Sequence, residues 1–270
     1  MSQPTNHDPH DELLDTIASQ LAAAELVSAE RAWQEGIAMA AHHSRWWCLG
    51  IELAGWRGDA AALAERSVQG RAALSSAATR IALDAEPAWL ARHRLALAHG
   101  QAELRLGRPR AALPLLGEAL GQTEWYPDHP AASAALIAVA EVHVLGGAPR
   151  KGHAQLARAH ERLATSTPQP GPAGSAAKRS IARLACLADV RLGRRTRAHA
   201  ARRARRLATL ERAAGAPLRA LVLELEAALY ADDARAYEAA VTVAERSEVR
   251  GAIGLSELLR GALVSAPTRR

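Results

Sequence analysis

A Leu-Gly pair recurs three times in this 270-residue chain, and each copy is followed within a few residues by a new apolar stretch. The copies are Leu106-Gly107-Arg-Pro-Arg-Ala-Ala-Leu, Leu145-Gly146-Gly-Ala-Pro-Arg-Lys-Gly and Leu192-Gly193-Arg-Arg-Thr-Arg-Ala-His, spaced by 39 and 47 residues. Gly adopts at little cost the left-handed backbone that closes a helix. Pro109 and Pro149 then fall at the first turn of the next helix, where the missing N–H has no partner to lose. Fainter copies lie at Gly55-Trp-Arg-Gly58-Asp and at Tyr230-Ala-Asp-Asp233. Helix, turn and helix repeated at this period confine the chain to stacked helical hairpins, because one hairpin cannot bury its apolar face alone.

Composition agrees. Hydrophobic residues make up 49%, mostly Ala and Leu, while aromatics are 3% and Phe is absent. Ala and Leu favour helices, and a sheet protein would draw on aromatic and β-branched residues. The pattern predicts helices over Asp11–Leu26, Pro87–Leu106, Pro109–Leu120 (with Pro114 as a bend), Asp128–Leu145, Pro149–Ala164, Ser175–Leu192, Thr196–Ala213, Pro217–Leu229, Ala234–Ser247 and Gly251–Val264. Ser28–Gly55 reads as one long or two short helices, and Asp59 as the cap of a helix reaching about Leu83. The fold class expected is all-α, a right-handed α-solenoid of stacked antiparallel helical hairpins. It divides into a disordered tail (1–10), N-terminal repeats (11–164), a Pro/Gly-rich loop or linker (165–174), basic C-terminal repeats (175–264) and a tail (265–270).

The segment His99–Leu120 resembles a tetratricopeptide repeat. Gly100 falls at the small position of its first helix, Gly107 at its turn, and Ala112, Leu116 and Ala119 on the inner face of its second helix. The large aromatic positions of that repeat are not met, and the period is longer. The chain is similar instead to the looser tetratricopeptide-like regions of MalT-type bacterial regulators. That resemblance implies a scaffold or regulatory module that binds a protein or peptide.

Charge is unevenly spread. Net charge is +6: through Ala164 there are 15 Lys+Arg against 18 Asp+Glu, and from Thr165 onward 19 against 10. The excess concentrates between Arg191 and Arg212, where Glu211 is the only acid. Arg195, His199, Arg202 and Arg206 fall on one helical stripe, and Ala200, Ala204, Leu207 and Ala208 on the packing face. Guanidinium groups at this density attract carboxylate or phosphate. Arg191, Arg194, Arg195, Arg202, Arg203 and Arg206 are therefore the expected partner contacts. An acidic protein or peptide is the first partner expected and nucleic acid the second, since no aromatic interleaves the stripe for base stacking. Trp33, Trp46, Trp47 and Trp56 put four of six tryptophans within 24 residues. Most are expected in the core. One of the adjacent pair Trp46/Trp47 is expected to point outward as a partner anchor, since helix neighbours diverge by about 100°.

No catalytic, cofactor or metal site is expected. Gly171-Pro-Ala-Gly-Ser-Ala-Ala-Lys178 lacks the Gly-Lys-Ser/Thr order of a phosphate loop. His42-His43 and His153/His160 do not make a ligand set. Cys48 and Cys186 sit far apart in apolar stretches and read as buried thiols. The first residues carry no secretory pattern, and no uncharged run of about 18 apolar residues occurs. The location expected is the bacterial cytoplasm.

Overall fold

The computed structural model describes residues 9–40, 44–76, 87–165 and 172–264, and among these every regular element is an α-helix. In chain order they are α1 (Pro9–Ala22), α2 (Leu26–Ala40), α3 (Ser44–Arg57), α4 (Ala60–Ser75), α5 (Ala88–Arg105), α6 (Pro109–Gly121), α7 (Pro130–Leu145), α8 (Pro149–Thr165), α9 (Pro172–Arg191), α10 (Arg197–Ala213), α11 (Pro217–Ala231), α12 (Ala234–Arg246) and α13 (Arg250–Val264).

One turn is used again and again. The residue just past α1, α3, α5, α7, α9, α10, α11 and α12 is left-handed: Ala24, Gly58, Gly107, Gly147, Gly193, Gly215, Asp232 and Glu248. In each, the next N–H reaches back five residues to a helix carbonyl, as in Arg108 N to Glu103 O at 2.9 Å and Arg194 N to Asp189 O at 2.8 Å. This closes the orphan carbonyls of the helix end. The Leu-Gly signal marks the turn directly at Gly107 and Gly193. In the second copy the left-handed residue is Gly147, while Gly146 keeps φ −80° and ends the helix proper. The next helix is then started by side chains: Asp59 accepts from Ala62 N at 2.9 Å and Asp233 from Ala236 N at 3.0 Å, and Thr196 caps α10.

Several boundaries differ from the sequence expectation. The stretch 28–55 divides into α2 and α3. Pro9 and His10, expected in a tail, already belong to α1. Pro172 to Gly174, expected in the Pro/Gly loop, open α9, because Pro is tolerated in a first helical turn. The helix opened by Asp59 ends at Ser75, short of the expected Leu83, because Ser76 turns to an extended backbone; residues 1–8, 166–171 and 265–270 and His42-His43 lie outside the described residues.

Packing begins as neighbouring pairs. α1 packs on α2, α3 on α4, α5 on α6 and α7 on α8, and the first members form their own succession α1–α3–α5–α7–α9. The core is mostly Ala and Leu, with Trp46 the largest fully buried side chain. Small residues set the spacing: a Cβ on Gly50 would meet the Trp33 ring at 2.5 Å, and Trp33 Nε1 donates to Trp46 O at 2.7 Å. α9 packs on both α7 and α8, and Ala140, Leu156 and Leu184 form a buried cluster that joins the three helices.

The C-terminal helix closes the chain on itself. Besides α11 and α12, α13 packs on α3, α5 and α7. Its glycines make the approach: a Cβ on Gly254 would lie 2.0 Å from Arg105 O, and one on Gly251 2.3 Å from Gly55 O. Both obstacles are backbone, which side-chain rotation cannot move. Arg57 bridges to Glu248 at 3.3 Å, and Arg197 donates to Leu263 O at 2.8 Å.

Candidate functional site

Closure turns the inner faces of the odd-numbered helices toward a common space. α1, α3, α5, α7, α9, α11 and α13, with the end of α10, surround a cavity of about 570 Å³. Its size is that of a small-molecule site. Leu49, Leu104, Ile137, Leu223 and Leu255 give it apolar walls. Glu52, Arg105, Glu141, Arg179, Arg183 and Arg219 bring charge into it, together with Glu211.

Those charges are not evenly shared. Arg183 takes two carboxylates, donating from Nε to Glu226 Oε1 at 2.8 Å and from Nη1 to Glu141 Oε1 at 2.8 Å. Burial opposes its charge, but Glu226 and Glu141 outweigh that cost and hold it protonated beyond the ordinary range. Arg179 grips Glu211 with two bonds, 2.7 and 3.1 Å, which is the strong fork geometry of a guanidinium on a carboxylate. That hydrogen bonding raises its pKa.

Arg105 and Arg219 fare worse. Arg105 lies over the Trp56 ring at 4.1 Å and reaches Glu52 Oε1 only at 3.4 Å, and its buried Nη1 has no hydrogen-bond partner. Burial lowers its pKa; Glu52 and Glu141 offset this only in part, and the Arg219 charge adds to the lowering. Arg219, with half its side chain exposed, finds Glu211 Oε2 at 3.8 Å, on a carboxylate already held by Arg179. Gln101 and Ser180 also line the cavity.

The residues singled out from sequence divide sharply. Arg191 is 8% exposed and donates to Val144 O, tying α9 to α7. Arg194 and Arg195 turn back to Asp189, at 3.9 and 3.1 Å, and Arg195 also meets His199 at 3.0 Å. The side chains of Arg202, Arg203 and Arg206, joined by Arg205, are exposed on α10 with no ion pair or hydrogen bond among the described residues. Trp46 and Trp47 are 0% and 6% exposed. The outward tryptophan expected from helix geometry does not occur, because α1, α2, α4 and α5 all pack on or around α3.

Sequence reasoning named Trp56, Leu207 and Glu211 but assigned none of the cavity residues to a site. Their only local signal is a charged residue on an otherwise apolar helix face, such as Glu141 in Ala135–Leu145 and Arg183 in Ile181–Val190. Among the described residues no group of three or more His, Cys, Asp or Glu could hold a metal ion. No helix among them is long and apolar enough to cross a membrane. Burial pushes the Cys186 thiol up in pKa, which keeps it protonated. Comparison with protein-family models, curated proteins and solved structures finds no match.

Proposed function

We propose that this chain is a tetratricopeptide-like helical-repeat module, an α-solenoid in plan, that works by recognition, with an acidic protein or peptide as partner on the outer face of α10. One observation carries this reading. Arg202, Arg203, Arg205 and Arg206 stand exposed together without a carboxylate to pair with among the described residues. Several arginines elsewhere have acids opposite them, as at Arg66–Glu30, Arg179–Glu211 and Arg183–Glu141, and exposed ones without an ion pair among the described residues, such as Arg110 and Arg235, do not stand four together. Four like charges left together repel one another, and a complementary surface relieves that repulsion while steering encounter. The inner face of α10, with Ala200, Ala204 and Leu207 buried, fixes the helix rigidly beneath them. Nucleic acid is the weaker reading, since α10 carries no Phe, Tyr or Trp to stack on bases.

The test uses defined probes on the full chain: a short labelled Glu-rich peptide and a short labelled DNA duplex. We expect the peptide to bind in low salt, and Arg202→Glu/Arg206→Glu to weaken it on the order of tenfold or more. Tighter binding to the duplex, lost steeply with salt, would transfer the site to nucleic acid. Binding of neither probe would refute the α10 reading.

A further inference from the structure

The cavity between the odd-numbered helices makes a second, separate case. We propose that it binds a small amphipathic monocarboxylate, with Arg219 taking the headgroup and the apolar wall taking the body. Nothing in the α10 reading requires this site, and the two can fail independently.

The positive charge left for a ligand follows from how the carboxylates are divided. Arg105, Arg179, Arg183 and Arg219 line the cavity, as do Glu52, Glu141 and Glu211. Glu226, 3% exposed, stands behind Arg183. Arg183 uses Glu226 and Glu141, and Arg179 uses both oxygens of Glu211. Glu52 is the remaining partner for Arg105, and Arg219 is left with the occupied Glu211 at 3.8 Å. Arg219 is also the accessible one, half-exposed where Arg105 is buried. Arg105 therefore supplies field and Arg219 supplies contact. An arginine fork suits a carboxylate in both geometry and charge.

The same division argues for one negative charge rather than two. Glu52, a third exposed, lines the same wall beside Arg105, and its charge repels a second negative charge on a ligand more than the first. Gln101 and Ser180 offer further polar contacts, and among the described residues no hydrogen bond commits either. Leu49, Leu104, Ile137, Leu223 and Leu255 give the rest of the wall an apolar surface beside these charged groups. A molecule with one carboxylate and an aliphatic body matches Arg219 on one side and the leucine-lined wall on the other. A fatty acid and the C-terminal end of an apolar peptide both have that chemistry.

Anilinonaphthalene sulfonate, a singly charged apolar fluorophore, serves as the reporter for the full-length protein. Saturable one-site binding is expected. Arg219→Gln should weaken it roughly tenfold, the scale of one charge-assisted contact. Ser180→Phe should remove it by filling the space, with no change of charge. Arg202→Glu, on the outer face, should leave it unchanged. Each variant is first shown to unfold cooperatively near the wild-type midpoint, which separates cavity binding from dye uptake by a loosened core. Decanoate and N-acetyl-trileucine with a free carboxylate are then added as competitors, beside decanol and the amidated tripeptide. Displacement by decanoate alone assigns a lipid-like ligand, and displacement by the tripeptide alone a peptide end; either supports the site. The proposal is overturned if reporter binding is not saturable, if Arg219→Gln and Ser180→Phe bind as the wild type does, if neither acid displaces the dye, or if the neutral compounds compete as well as the acids.

Discussion

Arg183 and Arg206 carry the same side chain on neighbouring parts of the chain, yet they do opposite work. Arg183 lies in the cavity wall, gripped by Glu226 and Glu141 from two other helices. Arg206 stands on the outer face of α10, exposed and unpaired among the described residues. The inner arginines join helices far apart in sequence, so their worth is structural and depends on the carboxylate opposite. The outer arginines make no ion pair among the described residues. An arginine count alone would rank the α10 cluster first in importance, but stability should depend on the other group.

The largest effect expected follows from that difference. Glu226→Ala removes the 3%-exposed partner of Arg183 and leaves a buried cation facing Glu141 alone. Breaking such a pair costs about 3–5 kcal/mol. Urea denaturation should show the midpoint fall accordingly, and Glu211→Ala, which strands Arg179, should behave alike. A loss below about 1 kcal/mol would mean that the inner network is no more structural than the outer cluster.

Next in size is a pH effect, from interior groups that have no such compensation. Burial, with the Arg71 charge adding to it, lowers the His99 pKa from 6.5 to about 4, so near neutrality its 3.7 Å approach to Glu103 is not an ion pair. His93, 2% exposed, is lowered as well, chiefly by burial, although its Nδ1–H donates to Ala119 O at 2.8 Å. Both are neutral in the fold, while the unfolded chain protonates them below about 6.5. The stability they permit is therefore complete above pH 6.5 and is lost as pH falls toward 4. For His99 the loss is on the order of 3 kcal/mol. Thermal unfolding across that window should show the decline, and His99→Gln should flatten part of it. An unchanged slope in the variant would show that other groups carry the acid sensitivity.

Closure by α13 comes third. In Gly254→Ala the new methyl meets the Arg105 carbonyl, so α13 must shift away from α5. Overpacking of this kind costs about 1–3 kcal/mol. Gly261→Ala on the same helix is the control: no atom lies within 4 Å of its Cβ, and Ala should gain up to about 1 kcal/mol from helix propensity. If both substitutions behave alike, the backbone contact is not what holds the last helix against α3 and α5.

These contacts also mark where the sequence stops being informative. Turns are local, and the Gly107 and Gly193 signals identify them because one residue type solves one backbone problem. Caps are local too, as Asp59 illustrates. Helix type follows from Ala and Leu content. Closure is not local: Gly254 reads as a weak helical residue until Arg105 O, some 150 residues earlier, is seen against it. Likewise Arg183 reads as solvated until α7 and α11 bring Glu141 and Glu226 to it. The pair Trp46/Trp47 departs from the expected single outward ring for the same reason. Angular divergence on α3 settles which neighbours point apart, but not whether other helices cover both sides.

The smallest stability effect is expected where the sequence is most conspicuous. Arg202→Glu/Arg206→Glu changes exposed side chains without partners among the described residues, and such sites usually lie within about 0.5 kcal/mol of neutral. Part of that change should be favourable, because Arg203 and Arg205 remain beside the new acids and the run of four like charges around Ala204 is broken. The denaturation midpoint of the double variant is the measurement. Near-identity with the wild type, beside a lost affinity for the Glu-rich peptide, would place the α10 cluster outside the fold's own requirements. A loss as large as that of Glu226→Ala would instead make the outer arginines structural, and the contrast between the two faces of this molecule would disappear.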